Sequence, residues 1–252
     1  MKRRPGWGVV LLLAFLAAPM GAVAEENGTL DRIEHTLESG AKQETGSGHH
    51  HHSGYTFWDF LFDFLLAGLT TPARDSEAVD WKALHQELKG EGHPAVPTLQ
   101  FDAGYSYFPG DVHAYRVYGL AGYLPFAIDV EWLHLFERQP ATRLKIVSPH
   151  FLFRFLPAKA FELDLAVGAK VIRGRSTHHG AEVGIPFAVY FNRHLWWDVR
   201  PYVAGIGQTE IWDVSSGLGG KWNLLTARAG YRLIDIGGER LHGPEVTLGL
   251  RW

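Results

Sequence analysis

Residues 161–171 read Phe-Glu-Leu-Asp-Leu-Ala-Val-Gly-Ala-Lys-Val, and this alternation is the main indication of the fold. Apolar side chains occupy the odd-numbered positions, whereas charged or small residues dominate the even-numbered ones. Successive side chains of a β-strand point to opposite faces of the sheet. The segment therefore predicts a strand with one apolar face and one polar face. A strand of a soluble β-sandwich alternates in the same way, so this segment alone does not decide between β folds.

The same period of two recurs from residue 98 to the C-terminus, notably in residues 99–107, 182–191 and 246–252. We predict ten strands, at residues 98–108, 112–122, 126–138, 142–156, 160–173, 178–191, 195–206, 208–218, 222–235 and 244–252. A barrel with both termini in the periplasm has an even number of strands. That parity favours dividing residues 195–218 into two strands, and eight strands are the alternative. Proline cannot donate a ladder hydrogen bond, so we expect a bulge or edge irregularity at Ser148-Pro149.

The polar face of these strands is rich in full charges of both signs. A narrow transmembrane barrel has a polar, charge-compensated interior, and many of the strands can reach the roughly 9–11 residues of a tilted membrane crossing. We therefore predict a closed antiparallel transmembrane β-barrel of about ten strands, with a soluble periplasmic β-sandwich as the structural alternative. The predicted interior charges are Asp129, Glu131, Arg143, Lys145, Glu162, Asp164, Lys170, Asp198, Arg200, Arg228, Arg232 and Arg251.

The first 24 residues have the three zones of a secretory signal peptide. A basic start is followed by an apolar stretch at residues 9–18 and by Ala22-Val23-Ala24, which predicts cleavage after Ala24. The chain has no cysteine, which excludes lipoprotein processing, disulfides and thiolate metal sites. A net charge of −3 gives no electrostatic footprint for nucleic acid.

Two segments separate the signal peptide from the barrel domain at residues 98–252. Residues 25–56 have the composition of a flexible linker, and their run His49–His52 is either natural linker or an engineered tag. We predict no cofactor from these histidines. Residues 57–97 form an extension with two short amphipathic helices, at residues 57–69 and 77–89. The aromatic segment 57–69 offers a surface for the barrel mouth, for the membrane or for a periplasmic partner.

The C-terminal segment Gly243-Pro-Glu-Val-Thr-Leu-Gly-Leu-Arg-Trp252 resembles the last strand of outer-membrane β-barrel proteins. In that class, alternating apolar residues and a terminal aromatic are read by the barrel-assembly machinery. The resemblance implies that Leu248, Leu250 and Trp252 form the assembly signal, and that outer-membrane lipid and the assembly machinery are partners. A terminal Trp replaces the usual Phe. The likeness covers residues 98–252 and identifies a fold class and a compartment, and no catalytic residue carries over.

Chemistry on the barrel rim is the alternative function. The predicted outward loops offer His178, His179, Glu210, Glu239 and His242, and a histidine beside a carboxylate can act as a general base. The sequence contains no phosphate-binding loop, zinc-binding helix or nucleophile elbow. We therefore expect a non-enzymatic outer-membrane protein with a structural, accessory or narrow-pore role. The alternative is a rim hydrolase or acyltransferase that acts on lipid or peptide.

Overall fold

The computed structural model describes residues 28–44, 99–123, 125–138, 141–158, 161–192 and 194–252. These residues form one α-helix and eleven β-strands. The elements are α1 (Thr29–Glu44), β1 (Leu99–Phe108), β2 (Val112–Tyr123), β3 (Phe126–Glu137), β4 (Arg143–Ala158), β5 (Phe161–Arg173), β6 (Thr177–Gly184), β7 (Phe187–Asn192), β8 (Leu195–Ile206), β9 (Thr209–Trp222), β10 (Leu225–Ile236) and β11 (Glu239–Arg251).

The strands close into a ring in which every neighbouring pair is antiparallel. Strand β1 pairs with β11 from Gln100↔Arg251 to Ser106↔Glu245, which seals the sheet. Strands β6 and β7 occupy one position in the ring, because both pair with β5 on one side and with β8 on the other. The structure confirms a closed antiparallel barrel with ten strand positions. It also supports the separation of β8 from β9 that strand parity favoured.

The position shared by β6 and β7 differs from the single predicted strand at residues 178–191. Residues 185–186 interrupt it, since Pro186 has no backbone N–H for a ladder hydrogen bond. The backbone remains satisfied across the break, because the Ile185 amide donates to the Pro201 carbonyl at 3.1 Å. The Pro186 carbonyl accepts from the Asp164 amide at 2.8 Å. The ring therefore stays closed through a broken strand.

The irregularity expected in β4 at Ser148-Pro149 occurs on one side of the strand, because pairing with β5 is interrupted between Val147↔Val171 and His150↔Gly168. It does not change the register: even-numbered residues of β4 face inward from Leu144 to Arg154, and pairing with β3 continues through Val130↔Pro149. The register with β5 shifts further along, between Phe155 and Ala158. The apparent change of phase has another cause. Near the start of β4 the inward residues are apolar, and further along the strand inward polar residues appear.

The outer surface of the barrel is apolar. Large apolar side chains are exposed on strands all around the ring, including Phe101, Ile128, Phe151, Leu218 and Leu248. Most strands have 10–16 residues, enough for a tilted crossing of a bilayer. Within the described residues, α1 falls short of the length and apolarity that a membrane-spanning helix requires.

Helix α1 corrects the prediction of a flexible linker over residues 25–56. Leu30, Ile33 and Leu37 recur at intervals of three and four, so they form one stripe along a helix. Their side chains are at most 1% exposed and pack against inward apolar residues of the barrel wall, such as Ile206 and Ile236. Linker composition predicted flexibility, but burial of this stripe stabilises a helix. The signal peptide, His49–His52 and the helices predicted at 57–69 and 77–89 lie outside the described residues.

The two ends of the barrel differ. Helix α1 packs at the end that carries the turns at residues 109–111, 174–176, 207–208 and 237–238, which we call the capped end. The opposite end holds the start of β1 and the C-terminal residue Trp252, and we call it the terminal end. The Glu137 carboxylate fixes the start of α1, because it accepts hydrogen bonds from the Thr29 and Leu30 amides at 3.1 Å each.

Candidate functional site: the charged interior of the barrel

The interior has an apolar layer beneath α1 and a long polar layer that extends towards the terminal end. The polar layer is built by side chains at every second position of the strands, because successive residues alternate between the two faces of the sheet. Its acidic members are Asp102, Asp129, Glu131, Glu162, Asp164, Glu182, Asp198, Asp213 and Glu245, and its basic members are Arg116, Arg154, Lys170, Arg200, Arg228, Arg232 and Arg251.

Arg232 on β10 is the centre of the polar layer. Its guanidinium binds both carboxylate oxygens of Asp213, at 3.0 and 2.7 Å. It also contacts Glu245 at 3.4 Å and forms an ion pair with Glu131. Arg116 binds Glu131 from the other side, at 2.7 Å. The three carboxylates come from three different strands, so Arg232 links distant parts of the wall across the interior.

A second chain of contacts connects Asp213 to β3 through a histidine. Lys170 lies 3.3 Å from Asp213 and 2.8 Å from Glu182. The Glu182 carboxylate also contacts His150 Nε2 at 3.1 Å, and His150 Nδ1 lies 2.7 Å from Asp129. The histidine ring thus bridges two carboxylates, which is a favourable position for an imidazolium. This chain ties β9, β5, β6, β4 and β3 together.

Tyrosine rings pack between these charges. The Tyr118 hydroxyl donates to Asp129 at 3.0 Å, and the guanidinium groups of Arg116 and Arg200 lie 5.1 and 5.0 Å from its ring centre. Tyr202 stacks on His150 with the ring centres 4.7 Å apart. Cation–π contacts of this kind strengthen when the cation is removed from water. The tyrosine rings therefore fill the space between the ion pairs, and they also contribute a hydrogen bond and cation–π contacts to the polar layer.

A third group of contacts joins β8, β10 and β11. Arg228 donates to both oxygens of Asp198 at 3.0 Å, and it contacts Glu245 at 2.6 Å. The Trp196 indole donates to Asp198 at 3.0 Å, so this carboxylate is satisfied by two side chains. Arg200 approaches it at 3.4 Å.

A fourth group of contacts lies near the terminal end. Arg154 lies 3.7 Å from Glu162 and 3.8 Å from Asp164, and the Tyr190 hydroxyl donates to Glu162 at 2.6 Å. The Oδ1 atom of Asp164 is buried without a hydrogen-bond partner among the described residues. Arg251 donates to Gln100 at 2.7 and 3.0 Å, which adds a side-chain link to the seam between β1 and β11.

Small cavities lie among these side chains. One has a volume of about 10 Å³ beside His150, Lys170 and Arg232. Another has a volume of about 50 Å³ beside Arg154 and Asp164. The first has room for about one water molecule and the second for a few. The described interior is therefore filled by its own side chains, and what it can do chemically is to hold charges in fixed pairs.

The structure places ten of the twelve predicted interior charges in this layer. It places Arg143 and Lys145 on the outer face, where both are exposed. The reason is local: Leu144 and Ile146 point inward to pack beneath α1, so the polar positions of this stretch face outward. Near the capped end, apolar residues of β4 therefore face the interior and its charged residues face outward.

Several interior residues were missing from the sequence prediction, namely Arg116, Arg154, Glu182, Asp213, Glu245 and His150. Their signal was present in the alternation of their own strands. Arg116, for example, lies two residues from Ala114 and from Tyr118, and all three face inward. The prediction selected only the clearest charged stretches. These residues could have been found by assigning every second residue of each strand to the inward face.

The candidate rim residues do not form one site. The His178 ring contacts the Ser176 hydroxyl at 3.1 Å, and that hydroxyl also donates to Glu38 at 3.2 Å. Glu239 is paired with Arg32 of α1 at 3.1 Å, whereas His242 contacts the Tyr231 hydroxyl at 2.6 Å. His179 and Glu210 are exposed on other parts of the rim.

The proposed assembly-signal residues lie along β11 towards the terminal end. Leu248 and Trp252 are 70% and 44% exposed, so they face outward, and Leu250 is half-buried. The Trp252 amide donates to the Leu99 carbonyl at 2.9 Å. The last residue of the chain therefore completes the seam between the first and last strands.

Comparison with known proteins gives a distant likeness of fold. No family model matches the chain. No curated protein matches it either. Among solved structures, a "KdgM porin" is similar with a TM-score of 0.37 and 9% identity, over 61% of this chain and 99% of that chain. The closure of the barrel is established by the pairing of its own strands.

Proposed function

We propose that this chain is an integral outer-membrane β-barrel protein with a structural or accessory role, whose interior does not conduct solutes freely. The observation that carries the proposal is the distribution of polarity. Large apolar side chains cover the outside, whereas ionic groups fill the inside. A soluble β-sandwich would place these charges in water and the apolar side chains in its core. A transmembrane barrel requires the opposite arrangement, and closure leaves no unpaired strand edge in lipid.

The two ends of the strand ring suggest an orientation. The first residue of β1, Leu99, and the C-terminal residue Trp252 lie together at the terminal end, and in outer-membrane barrels with an even number of strands these ends of the ring face the periplasm. Helix α1, which precedes β1 in the sequence, packs at the other end. The predicted signal peptide and the C-terminal resemblance support the same compartment. In this orientation the capped end faces the exterior of the cell.

A structural role is favoured over a narrow pore because two barriers lie in series. Helix α1 packs its apolar stripe across the capped end, and the ion-pair layer beneath it leaves cavities of about 10 and 50 Å³. Small barrels have interiors that side chains can fill completely. Moving an ion through this layer would require breaking contacts such as those of Arg232.

Membrane fractionation with a heated-versus-unheated gel shift tests the proposal. We expect recovery in the outer membrane and a band that migrates faster before heating. Conductance of the purified barrel in a planar bilayer then separates the structural role from the pore, and we expect no steady channel current. A soluble periplasmic protein without a gel shift would contradict the membrane proposal, and a steady current would favour the narrow pore.

The rim hydrolase remains the second candidate because of the contact between Ser176 and His178. A serine hydroxyl beside a histidine is the arrangement of an activated nucleophile. However, the same hydroxyl donates to Glu38, and Ser176 lies in the turn before β6, only two residues from His178. Replacing His178, His179 and His242 together should leave assembly intact. A fluorophosphonate probe tests whether Ser176 is a nucleophile. The hydrolase would be favoured if the probe labels Ser176 in the wild type, and if this variant loses the labelling but keeps the gel shift.

A further inference from the structure

Three cations form a cluster on the outer face near the capped end. Arg143 and Lys145 lie two residues apart on β4 and point outward, and Lys145 is directly opposite Arg173 of β5. All three side chains are exposed. We call this group the outer cation patch. These charges belong neither to the interior network nor to the contacts that hold α1.

No acidic residue lies directly opposite the outer cation patch among the described strands. In the register of the sheet, Arg143 faces Phe136, Lys145 faces His134, and Arg173 faces Thr177. Within the described part of the chain, none of the three cations forms an ion pair. Like charges directly opposite each other destabilise a sheet. An anion supplied from outside the barrel would therefore stabilise this surface.

An aromatic cluster lies beside the patch at the same height of the barrel. Phe136 stacks on His113 and Tyr115, with ring centres 5.1 and 5.4 Å apart, and Trp132 lies 5.7 Å from His134. Aromatic girdles of membrane barrels lie at the interface between lipid tails and head groups. Exposed Arg and Lys side chains are costly at the bilayer centre, but they are tolerated near this interface. The cross-strand register places the patch beside this aromatic cluster.

We propose that the outer cation patch binds the phosphate group of a membrane lipid in the leaflet at the capped end. The inference rests on the proposed membrane location. Guanidinium groups present paired N–H donors that match phosphate oxygens, and the lysine adds a point charge. The neighbouring aromatic rings offer an apolar surface for the upper part of the acyl chains. The lipid supplies a negative charge that none of the residues directly opposite the patch provides.

Native mass spectrometry of the barrel in neutral detergent tests this site with two probes that differ only in phosphate, dioleoyl phosphatidate and dioleoylglycerol. We expect the wild-type protein to retain phosphatidate in preference to diacylglycerol. The variant Arg143→Gln/Lys145→Gln/Arg173→Gln should lose this preference, with each removed cation weakening binding about fivefold. Lys145→Gln alone should give an intermediate value.

Arg240→Gln is the matched control, because Arg240 is an exposed cation at the same end but already pairs with Asp235 at 2.8 Å. It removes the same charge as Lys145→Gln and should retain wild-type binding. Equal retention of the two lipids, equal binding by the triple variant, or displacement of phosphatidate by excess inorganic phosphate would overturn the proposal. The gel shift is measured on every variant. A folded barrel without lipid selectivity rejects this site alone, whereas loss of the shift in the wild type rejects the proposed membrane barrel.

Discussion

At the scale of single residues, Arg232 is the most consequential side chain of the interior. It contacts Asp213, Glu245 and Glu131, and the residue is 3% exposed. Arg232→Gln leaves buried carboxylates without their cation, and we expect the free energy of unfolding to fall by about 3–5 kcal/mol. Urea unfolding in lipid vesicles, followed by the gel shift, measures this change.

Arg240→Gln is the control for Arg232→Gln, since it breaks an exposed ion pair that contributes little to stability. If Arg232→Gln prevents assembly, its yield of heat-modifiable protein is compared with the yield of the control. Equal stability or yield of the two variants would show that the interior network does not hold the barrel together.

The sequence identifies interior residues where the charged face of a strand lies in the polar layer. In β5, Glu162, Asp164 and Lys170 share one face, and the structure places this face inside. Arg143 and Lys145 were misplaced because their inward neighbours are apolar beneath α1. Alternation defines two faces, but only tertiary contacts decide which face is inside.

At the scale of elements, α1 depends on one buried stripe. Ile33 is fully buried in the apolar layer, whereas His35 is exposed two residues later. Ile33→Asp places a charge in that layer without a partner, which is strongly unfavourable. We expect the helix to leave the capped end and trypsin to cleave after Arg32, while the barrel keeps its gel shift.

His35→Asp is the matched control, because it adds a carboxylate to the same helix on its exposed side. Mass spectrometry after limited trypsin digestion should show that Arg32, which pairs with Glu239, remains protected in this variant. Equal cleavage of the two variants would contradict a docked helix.

The elements differ in how far the sequence predicts them. Long alternating strands were placed within a few residues of their ends, whereas α1 was missed because polar composition concealed the spacing of Leu30, Ile33 and Leu37. Those three residues become a core only when the barrel supplies the rest of the apolar layer. A short helix of this kind is stabilised by tertiary packing.

At the scale of the whole molecule, closure could be predicted but the interior contacts could not. Lipid requires every backbone group to be paired, so alternating strands of suitable length imply a ring. The contact between Arg232 and Glu131 joins residues 101 positions apart in sequence. No local pattern encodes that pairing, because it depends on the strand tilt and on side chains from opposite walls.

The two barriers predict how conductance responds to loss of the helix. Ile33→Asp removes the apolar cap but leaves the contacts among Arg232, Lys170 and Asp213. We expect planar-bilayer conductance of this variant to stay at the wild-type baseline, since the cavity there has a volume of about 10 Å³. A steady current in Ile33→Asp, absent from His35→Asp, would show instead that α1 is the only barrier.

Assembly of the whole barrel should depend on an aromatic residue at the seam between β1 and β11, and not only on exposed aromatic residues at the terminal end. Trp252 closes the seam through Leu99, whereas Trp222, 77% exposed, ends β9 at the same end of the barrel. We expect deletion of Trp252 or Trp252→Asp to lower the yield of heat-modifiable barrel in outer membranes, because the signal and the seam are both affected. Trp222→Asp removes a comparable aromatic away from the seam and should reduce the yield less. Equal losses would assign the effect to the aromatic girdle, and unchanged membrane levels in the Trp252 variants would reject the assembly signal.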